Sequence, residues 1–438
     1  MATSPFLRVL SLLLLLLPAS LQAYLPAASN RRPASNHHGV DDELHPIVLV
    51  PGGSCSDLEA RLTEAYRPSI PRCGAMKGKG WFGLWHNASD LAARDYVPCF
   101  MEQMSLVYDP DANEYRNFPG VETRVLNFGS STGFHSNPLH PEWCFGQLRP
   151  ELERLGYVDG ETLFGAPYDL RRVPPIPGQP SRVYSRYFRQ LTSLIEHASS
   201  ITKKKKVILF GHSQGGMVAL EFLRAAAPQA WQRKYIKHLV LVSPLPASAG
   251  FVLPVMGFVS GSGLLDVPTA TPLSLRPMWR TFESALFGFP SPAVFTTKPV
   301  VITRRRNYTA SARDMEDLLA DVGAGDAVEP FRRRRRRLPP RSAAVVPVTC
   351  VNGVGTDTPE QMAYWEGDFD AAPEVVYGDG DGTINLASML AFDEEMTRRP
   401  GQYKTIKLRG ASHGSLLAAE WSLKRVIQEV LIEATNRV

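Results

Sequence analysis

Between residues 207 and 220 the chain reads VILFGHSQGGMVAL. Val207 to Phe210 are four apolar residues with the length and β-leaning composition of a buried strand. Gly211-His212-Ser213-Gln214-Gly215 then fits the pattern G-x-S-x-G, and Met217 to Leu220, with Phe222 and Leu223, run on without a breaker. A strand that turns sharply into a helix around such a serine is a nucleophile elbow. The turn forces Ser213 into strained backbone angles and lifts its hydroxyl clear of the sheet. Bulky side chains at 211 and 215 would collide with the neighbouring strand and helix. The helix start offers N–H groups and a positive dipole end to an oxyanion. The rival reading, a Gly-rich turn with an incidental serine, does not explain the flanking strand and helix.

A serine hydroxyl needs an imidazole to take its proton and a carboxylate to orient that imidazole. In folds built on this elbow the chain order is Ser, then Asp or Glu, then His. Two histidines follow Ser213, His238 and His413. His238 immediately precedes the apolar run Leu239 to Val242, at the opening end of a parallel strand, whereas Ser213 closes one, so His413 is the expected base. It lies in the small-residue loop Gly410-Ala411-Ser412-His413-Gly414-Ser415. The acid comes from Tyr377-Gly378-Asp379-Gly380-Asp381-Gly382-Thr383, which offers two carboxylates, Asp379 and Asp381. This Gly/Asp run lacks the ligand spacing and terminal Glu of a calcium loop, so no metal is expected. Triad chemistry calls for no cofactor.

Strand-like and helix-like segments alternate around the elbow. Ile47 to Val50 reads as a buried strand ending at Pro51-Gly52-Gly53, with Leu58-Glu59-Ala60-Arg61-Leu62 as a helical pattern after it. Leu106 to Arg124 reads as a hairpin or short strands, Phe145 to Leu155 as a helix, and Thr162 to Phe164 as a strand. Tyr184 to Ala198 reads as a long amphipathic helix and Leu239 to Val242 as a strand. Asp314 to Val322 reads as a helix and Phe331 to Arg341 as a basic loop. Strands resume at Val345 to Val351 and Val375 to Tyr377, and a helix runs from Ala418 to Glu433. This pattern predicts an α/β fold with a mostly parallel sheet and helices on both faces. Between about 244 and 298 it fails, and Gly, Pro, Ser, Met and Trp dominate, which predicts a cap or lid inserted above the sheet.

The chain of 438 residues, 44% hydrophobic, can bury a large core. The net charge of +5 is small for this length, and basic runs such as Arg332 to Arg337 lack the stacking aromatics of a nucleic-acid surface, so no nucleic-acid partner is expected. Residues 1–23 read as a signal peptide, with Arg8, the apolar run Val9 to Leu17, Pro18, and a small-residue site ending at Ala23. Residues 24–44 read as a flexible leader, and the fold is expected over 45–438. The route is therefore secretory, ending outside the cell or in a vacuolar, lysosome-like or other lumenal compartment. The cysteines, Cys55, Cys73, Cys99, Cys144 and Cys350, are odd in number, so at least one is unpaired or pairs between chains. Sequons at Asn87 and Asn307 are expected glycosylation sites. Trp81, Phe82 and Trp85 lie in a loop from about 67 to 99 that would suit contact with lipid, core packing being the equal alternative.

The segments HPIVLVPG from His45, LEARL from Leu58, GAPYDLR from Gly165, GHSQGG from Gly211, YGDGDGT from Tyr377 and SHG from Ser412 together resemble the lecithin:cholesterol acyltransferase family, over nearly all of the chain after His45. The resemblance implies an α/β-hydrolase core with a membrane-binding region and a lid. It implies Ser213, Asp381 and His413 as the triad, backbone N–H groups of Gly53 and Gln214 as the oxyanion hole, and a Cys73–Cys99 disulfide pinning a lipid-binding loop. Partners would be a phospholipid membrane or lipoprotein-like surface and a sterol or other acyl acceptor. Gln214 departs from the Leu or Met usual after the nucleophile, which suggests a more polar pocket. The loop Gly53-Ser54-Cys55-Ser56 departs as well. Three functions remain open at this point: an acyltransferase/phospholipase, a non-catalytic lipid-binding protein on the same scaffold, and a soluble carboxylesterase.

Overall fold

The structure, a computed structural model, describes residues 44–85, 96–134, 144–175, 179, 181–262, 270–296, 298–335, 344–397 and 403–435. The expected signal peptide, nearly all of the leader, the Asn87 sequon, Arg336 and Arg337 lie outside the described residues, as does part of the 244–298 insertion. Leu44, expected to end the leader, is buried in the core.

Six strands form the central sheet in the order Tyr403–Arg409, Val348–Val354, Ile236–Val242, Val207–His212, Ile47–Val50, Leu163–Gly165, and every neighbouring pair is parallel. The near-continuous apolar runs of the inner strands Ile47–Val50, Val207–His212 and Ile236–Val242 follow from burial on both faces, whereas the edge strand Tyr403–Arg409 carries lysines and an arginine and is partly exposed. Val207 and Leu209, with Val48, Val50, Leu239 and Leu241, point to one side and pack on the helices Arg182–Ile201 and Gln214–Glu221. Ile208 and Phe210, with Ile47, Leu49, Val240 and Val242, point to the other and pack on Leu148–Arg154 and Glu420–Thr435. Period-2 alternation thus supplies two cores from one sheet.

A third core joins two parts of the chain that sequence alone keeps apart. Leu58, Leu84, Trp85 and Phe100 from the first hundred residues pack with Trp279, Phe282, Val301 and Met362. The small sheets that feed it are Trp81–Trp85, Leu58–Leu62, Val121–Val125 and, separately, Asn307–Thr309, Pro299–Thr303, Thr356–Tyr364, Glu374–Gly380. The helices Leu253–Ser260, Pro272–Trp279 and Glu283–Phe287, from the irregular insertion, contribute to the same core.

Several expectations need correction. Leu58–Leu62 is a strand, not a helix: Leu58, Ala60 and Leu62 face inward while Glu59 and Arg61 face outward to Arg124 and Glu122. Glu, Ala, Arg and Leu favour helices, but cross-strand packing overrides so weak a preference. Val375 to Tyr377 does lie in a strand, but one antiparallel to Thr356–Tyr364 in the smaller sheet, not a return to the parallel alternation. The basic stretch begins inside a helix, Val328–Arg335, because Arg332, Arg333 and Arg334 each find a carboxylate, on Glu316, Glu329 and Glu283.

Candidate active site

Ser213 sits between the strand Val207–His212 and the helix Gln214–Glu221 with φ 55° and ψ −126°, a left-handed conformation rare for a residue with a side chain. The strain is held by hydrogen bonds on both sides. Ser213 N donates to Val242 O at 2.9 Å, and Leu245 N and Gly216 N donate to Ser213 O at 3.0 Å each. Gly215 is required by close approach, since a Cβ there would lie 2.1 Å from Pro51 O and 2.3 Å from Val50 O.

His413 follows the edge strand Tyr403–Arg409, and Asp381 follows Glu374–Gly380. His413 Nδ1 lies 2.8 Å from Asp381 Oδ2, and His413 Nε2 lies 2.9 Å from Ser213 Oγ. A carboxylate only accepts, so Nδ1 carries the proton and Nε2 presents its lone pair to the serine hydroxyl; this tautomer is assigned from the partners. Asp381 is fully buried, and its other oxygen accepts from Thr383 N at 2.9 Å and Ile384 N at 2.7 Å. Burial alone would raise the Asp381 carboxyl. The charge and hydrogen bond of His413 and the two backbone N–H groups outweigh it and hold the group below its ordinary value. The backbones are tied as well, His413 N donating to Asp381 O at 2.7 Å.

The alternatives fall elsewhere. Asp379 Oδ1 accepts from Gly355 N at 2.7 Å. His238 lies within Ile236–Val242, buried, with Nε2 2.9 Å from Thr349 Oγ1.

Above Ser213 opens a cavity of about 180 Å3 whose apolar wall includes Leu245, Phe251, Leu253, Trp279 and Phe282. Its polar side is made by Ser213, His413, Gly53 and Gln214. Three features here carry roles that the sequence did not signal. His212 is buried, its ring centroid 5.0 Å from that of His413, and its Nε2–H donates to His413 O at 3.2 Å. Burial, and then the charge of His413, push its pKa down to about 3, so it stays neutral beside the base. Cys55 and Cys144 form a disulfide and both line the cavity.

Trp85 is the third, and it corrects an expectation. It is 3% exposed, stacks near Phe100, and donates its indole N–H to Ser54 O at 2.9 Å. It braces the loop after Gly53 and offers nothing to a lipid surface. Trp81 and Phe82 are half-buried; Trp81 is faced by the guanidinium groups of Arg61 and Arg124, at 5.1 and 4.4 Å from its ring centroid. The Cys73–Cys99 disulfide is present, and Cys350 is a buried free thiol. Asn307 is exposed. Among the described residues there is no group of three or more His, Cys, Asp or Glu arranged to hold a metal ion, and no helix is long and apolar enough to cross a membrane.

The parallel sheet, the strained serine turn and the loops bearing Asp381 and His413 define an α/β-hydrolase fold. The crystal structure of the Tle4–Tli4 complex is similar to this fold, with a TM-score of 0.50 at 11% identity, covering 90% of this chain and 98% of that chain. The lecithin:cholesterol acyltransferase family model matches residues 81–329. The chain is 41% identical over 398 residues to lecithin-cholesterol acyltransferase-like 1 of Oryza sativa subsp. japonica, across 90% of this chain and 87% of that protein. It is 30% identical over 392 residues to lysosomal phospholipase A and acyltransferase of Canis lupus familiaris, across 87% of this chain and 91% of that protein. The chain belongs to the lecithin:cholesterol acyltransferase family.

Proposed function

We propose that this chain is a serine-dependent lipid acyltransferase with phospholipase A activity. The observation that carries the proposal is the hydrogen-bonded series Ser213 Oγ, His413 Nε2 and Nδ1, Asp381 Oδ2, opening on an apolar cavity. Ser213 Oγ attacks the carbonyl of a glycerophospholipid ester as His413 Nε2 takes its proton. Backbone N–H groups of Gly53 and Gln214 stabilise the oxyanion. Collapse expels the glycerol oxygen, which receives that proton from His413, and leaves the acyl group on Ser213. A second O–H then attacks the acyl-enzyme, His413 takes its proton and returns it to Ser213. Water in that step makes the enzyme a phospholipase, and a sterol or other alcohol makes it an acyltransferase. Asp381 holds the imidazole in the working tautomer and stabilises its charged form.

Membership of a family with lysosomal and sterol-acylating relatives supports a lipid surface as the substrate source. Trp81 and Phe82 are the residues proposed to touch it, from a cap-bearing region built on the third core. The secretory route, removal of residues 1–23 and glycosylation at Asn87 and Asn307 complete the reading. Pure protein incubated with vesicles of labelled phosphatidylcholine, with and without sterol, tests it. The wild type should release or transfer the label, and Ser213→Ala should do neither while melting at nearly the same temperature. Acyl transfer by Ser213→Ala would remove Ser213 from the mechanism.

A further inference from the structure

The chemistry above uses only the backbone of Gln214, yet its side chain is buried and engaged. Nε2 lies 3.1 Å from Leu170 O and 2.9 Å from Arg172 O. Two carbonyls at one end fix the amide orientation, since only the NH2 end can donate to both. Oε1 therefore turns the other way, against Gly53, where a Cβ would lie 3.0 Å from it. One side chain thus spans from the loop bearing one proposed oxyanion donor to the segment Leu170 to Arg172.

That segment is a junction. Arg171 O accepts from Ser284 N at 3.1 Å, and both Leu170 and Ser284 line the cavity. The Arg171 guanidinium is wholly buried and donates to Met104 O, Asn117 Oδ1 and Thr123 Oγ1, each at 3.0 Å. Three successive carbonyls, at 170, 171 and 172, therefore tie the nucleophile helix and the helix Glu283–Phe287 to one wall.

We propose that the Gln214 side chain is a positioning residue, which clamps the Leu170–Arg172 wall to the nucleophile turn and thereby sets the direction of its own backbone N–H and the seat of the acyl chain. This rests on the Ser213 reading of the function. The polar residue after the nucleophile spends its amide donors on the wall and not in the acyl pocket. A leucine of similar size would leave the Leu170 carbonyl without a donor, Arg172 O with only the Tyr184 hydroxyl at 3.3 Å, and the wall free to shift.

The test compares wild type with Gln214→Leu, Gln214→Glu and Gly53→Ala, reading the rate of covalent labelling by a fluorophosphonate and kcat and KM for short- and long-chain p-nitrophenyl esters. Gln214→Leu should lower kcat at least about tenfold on the long-chain ester, with a smaller change in KM. In Gln214→Glu a carboxylate has no proton to donate and a carboxylic acid has one. Its activity relative to wild type at the same pH should therefore rise as pH falls from about 8 to about 5.5, whereas a space-filling role would leave that ratio flat. Gly53→Ala presses on Oε1 and should lower kcat in the same sense; a wild-type kcat there overturns the proposal even where the Gln214 variants do not fold. Wild-type kcat in Gln214→Leu with a flat ratio in Gln214→Glu overturns the proposal and leaves the Ser213 reading standing. A wild type that takes no label overturns that reading, and the proposal with it.

Discussion

His413 Nε2 stands 2.9 Å from Ser213 Oγ although 200 positions of chain separate them. The contact follows from topology. All six central strands are parallel, so the residues that close Val207–His212 and Tyr403–Arg409 emerge on one edge of the sheet, where α/β folds place their ligands. His238, inside Ile236–Val242, cannot reach that edge.

The two carboxylates of the Gly/Asp run separate by partner. Asp381 orients His413, whereas Asp379 holds a backbone N–H of Gly355. Asp381→Asn should lower kcat by ~10^3 to 10^4, through loss of the correct tautomer and of charge stabilisation. Asp379→Asn keeps an acceptor and should stay within about threefold of wild type by the same hydrogen-bond logic. Steady-state rates on one soluble ester decide between them, and reversed effects would reassign the acid.

Gly215→Ala should destabilise the fold by about 3 kcal/mol or more, because the added carbon meets the carbonyls of Pro51 and Val50 at 2.1 and 2.3 Å and the central sheet cannot yield. Urea unfolding of the purified variant measures it. A loss under about 0.5 kcal/mol, the range of ordinary surface changes, would mean that the elbow is looser than described.

His238 gives a stability signature in acid. Burial, then Lys237 and Lys404, lower its pKa from 6.5 to about 4, so between those values the unfolded chain binds a proton that the folded chain refuses. Stability is then complete above pH 6.5 and declines as pH falls toward 4, by about 1.4 kcal/mol per unit from this group. His212 acts in the same direction, with its pKa pushed down to about 3. His238→Gln should reduce the slope of unfolding free energy against pH over this window by about 1.4 kcal/mol per unit. An unchanged slope would show that His238 is protonated in the fold.

The two disulfides should differ in what they protect. Cys55–Cys144 spans 89 positions and lines the cavity, and Cys73–Cys99 spans 26 away from it. Replacing Cys55 and Cys144 by Ser should cost about 4 to 5 kcal/mol by loop closure and lower kcat on a dispersed ester. The same change at Cys73 and Cys99 should cost about 3 to 4 kcal/mol and spare that rate. Equal losses of kcat in the two double variants would contradict the assignment of the first bridge to the cavity wall.

Ser213 and His413 stood out because their chemistry is local and the chain order is fixed, whereas two carboxylates one glycine apart did not separate until the family resemblance was added. G-x-S-x-G marks the turn, and small residues mark the loops bearing Asp381 and His413. The third core was not legible, since it joins Leu58, Trp85 and Trp279 across two hundred residues and no periodicity announces such a meeting. Leu58–Leu62 misled because its residues favour helix while its burial alternates. Trp85 misled because an aromatic in a disulfide-closed loop serves a core or a surface equally well until its neighbours are known. His212 and the side-chain contacts of Gln214 hid inside the motif itself, where attention goes to the serine, the glycines and the backbone N–H after the serine.

The central claim is an acyl group carried on Ser213. Wild-type protein mixed with vesicles of phosphatidylcholine bearing a deuterated acyl chain, quenched in acid and digested with trypsin, yields the peptide from Val207 to Arg224. Mass spectrometry should find that peptide heavier by one deuterated acyl group, with the modification on Ser213. Accumulation of product while the peptide stays unmodified, or an acyl group on another residue, would contradict the account.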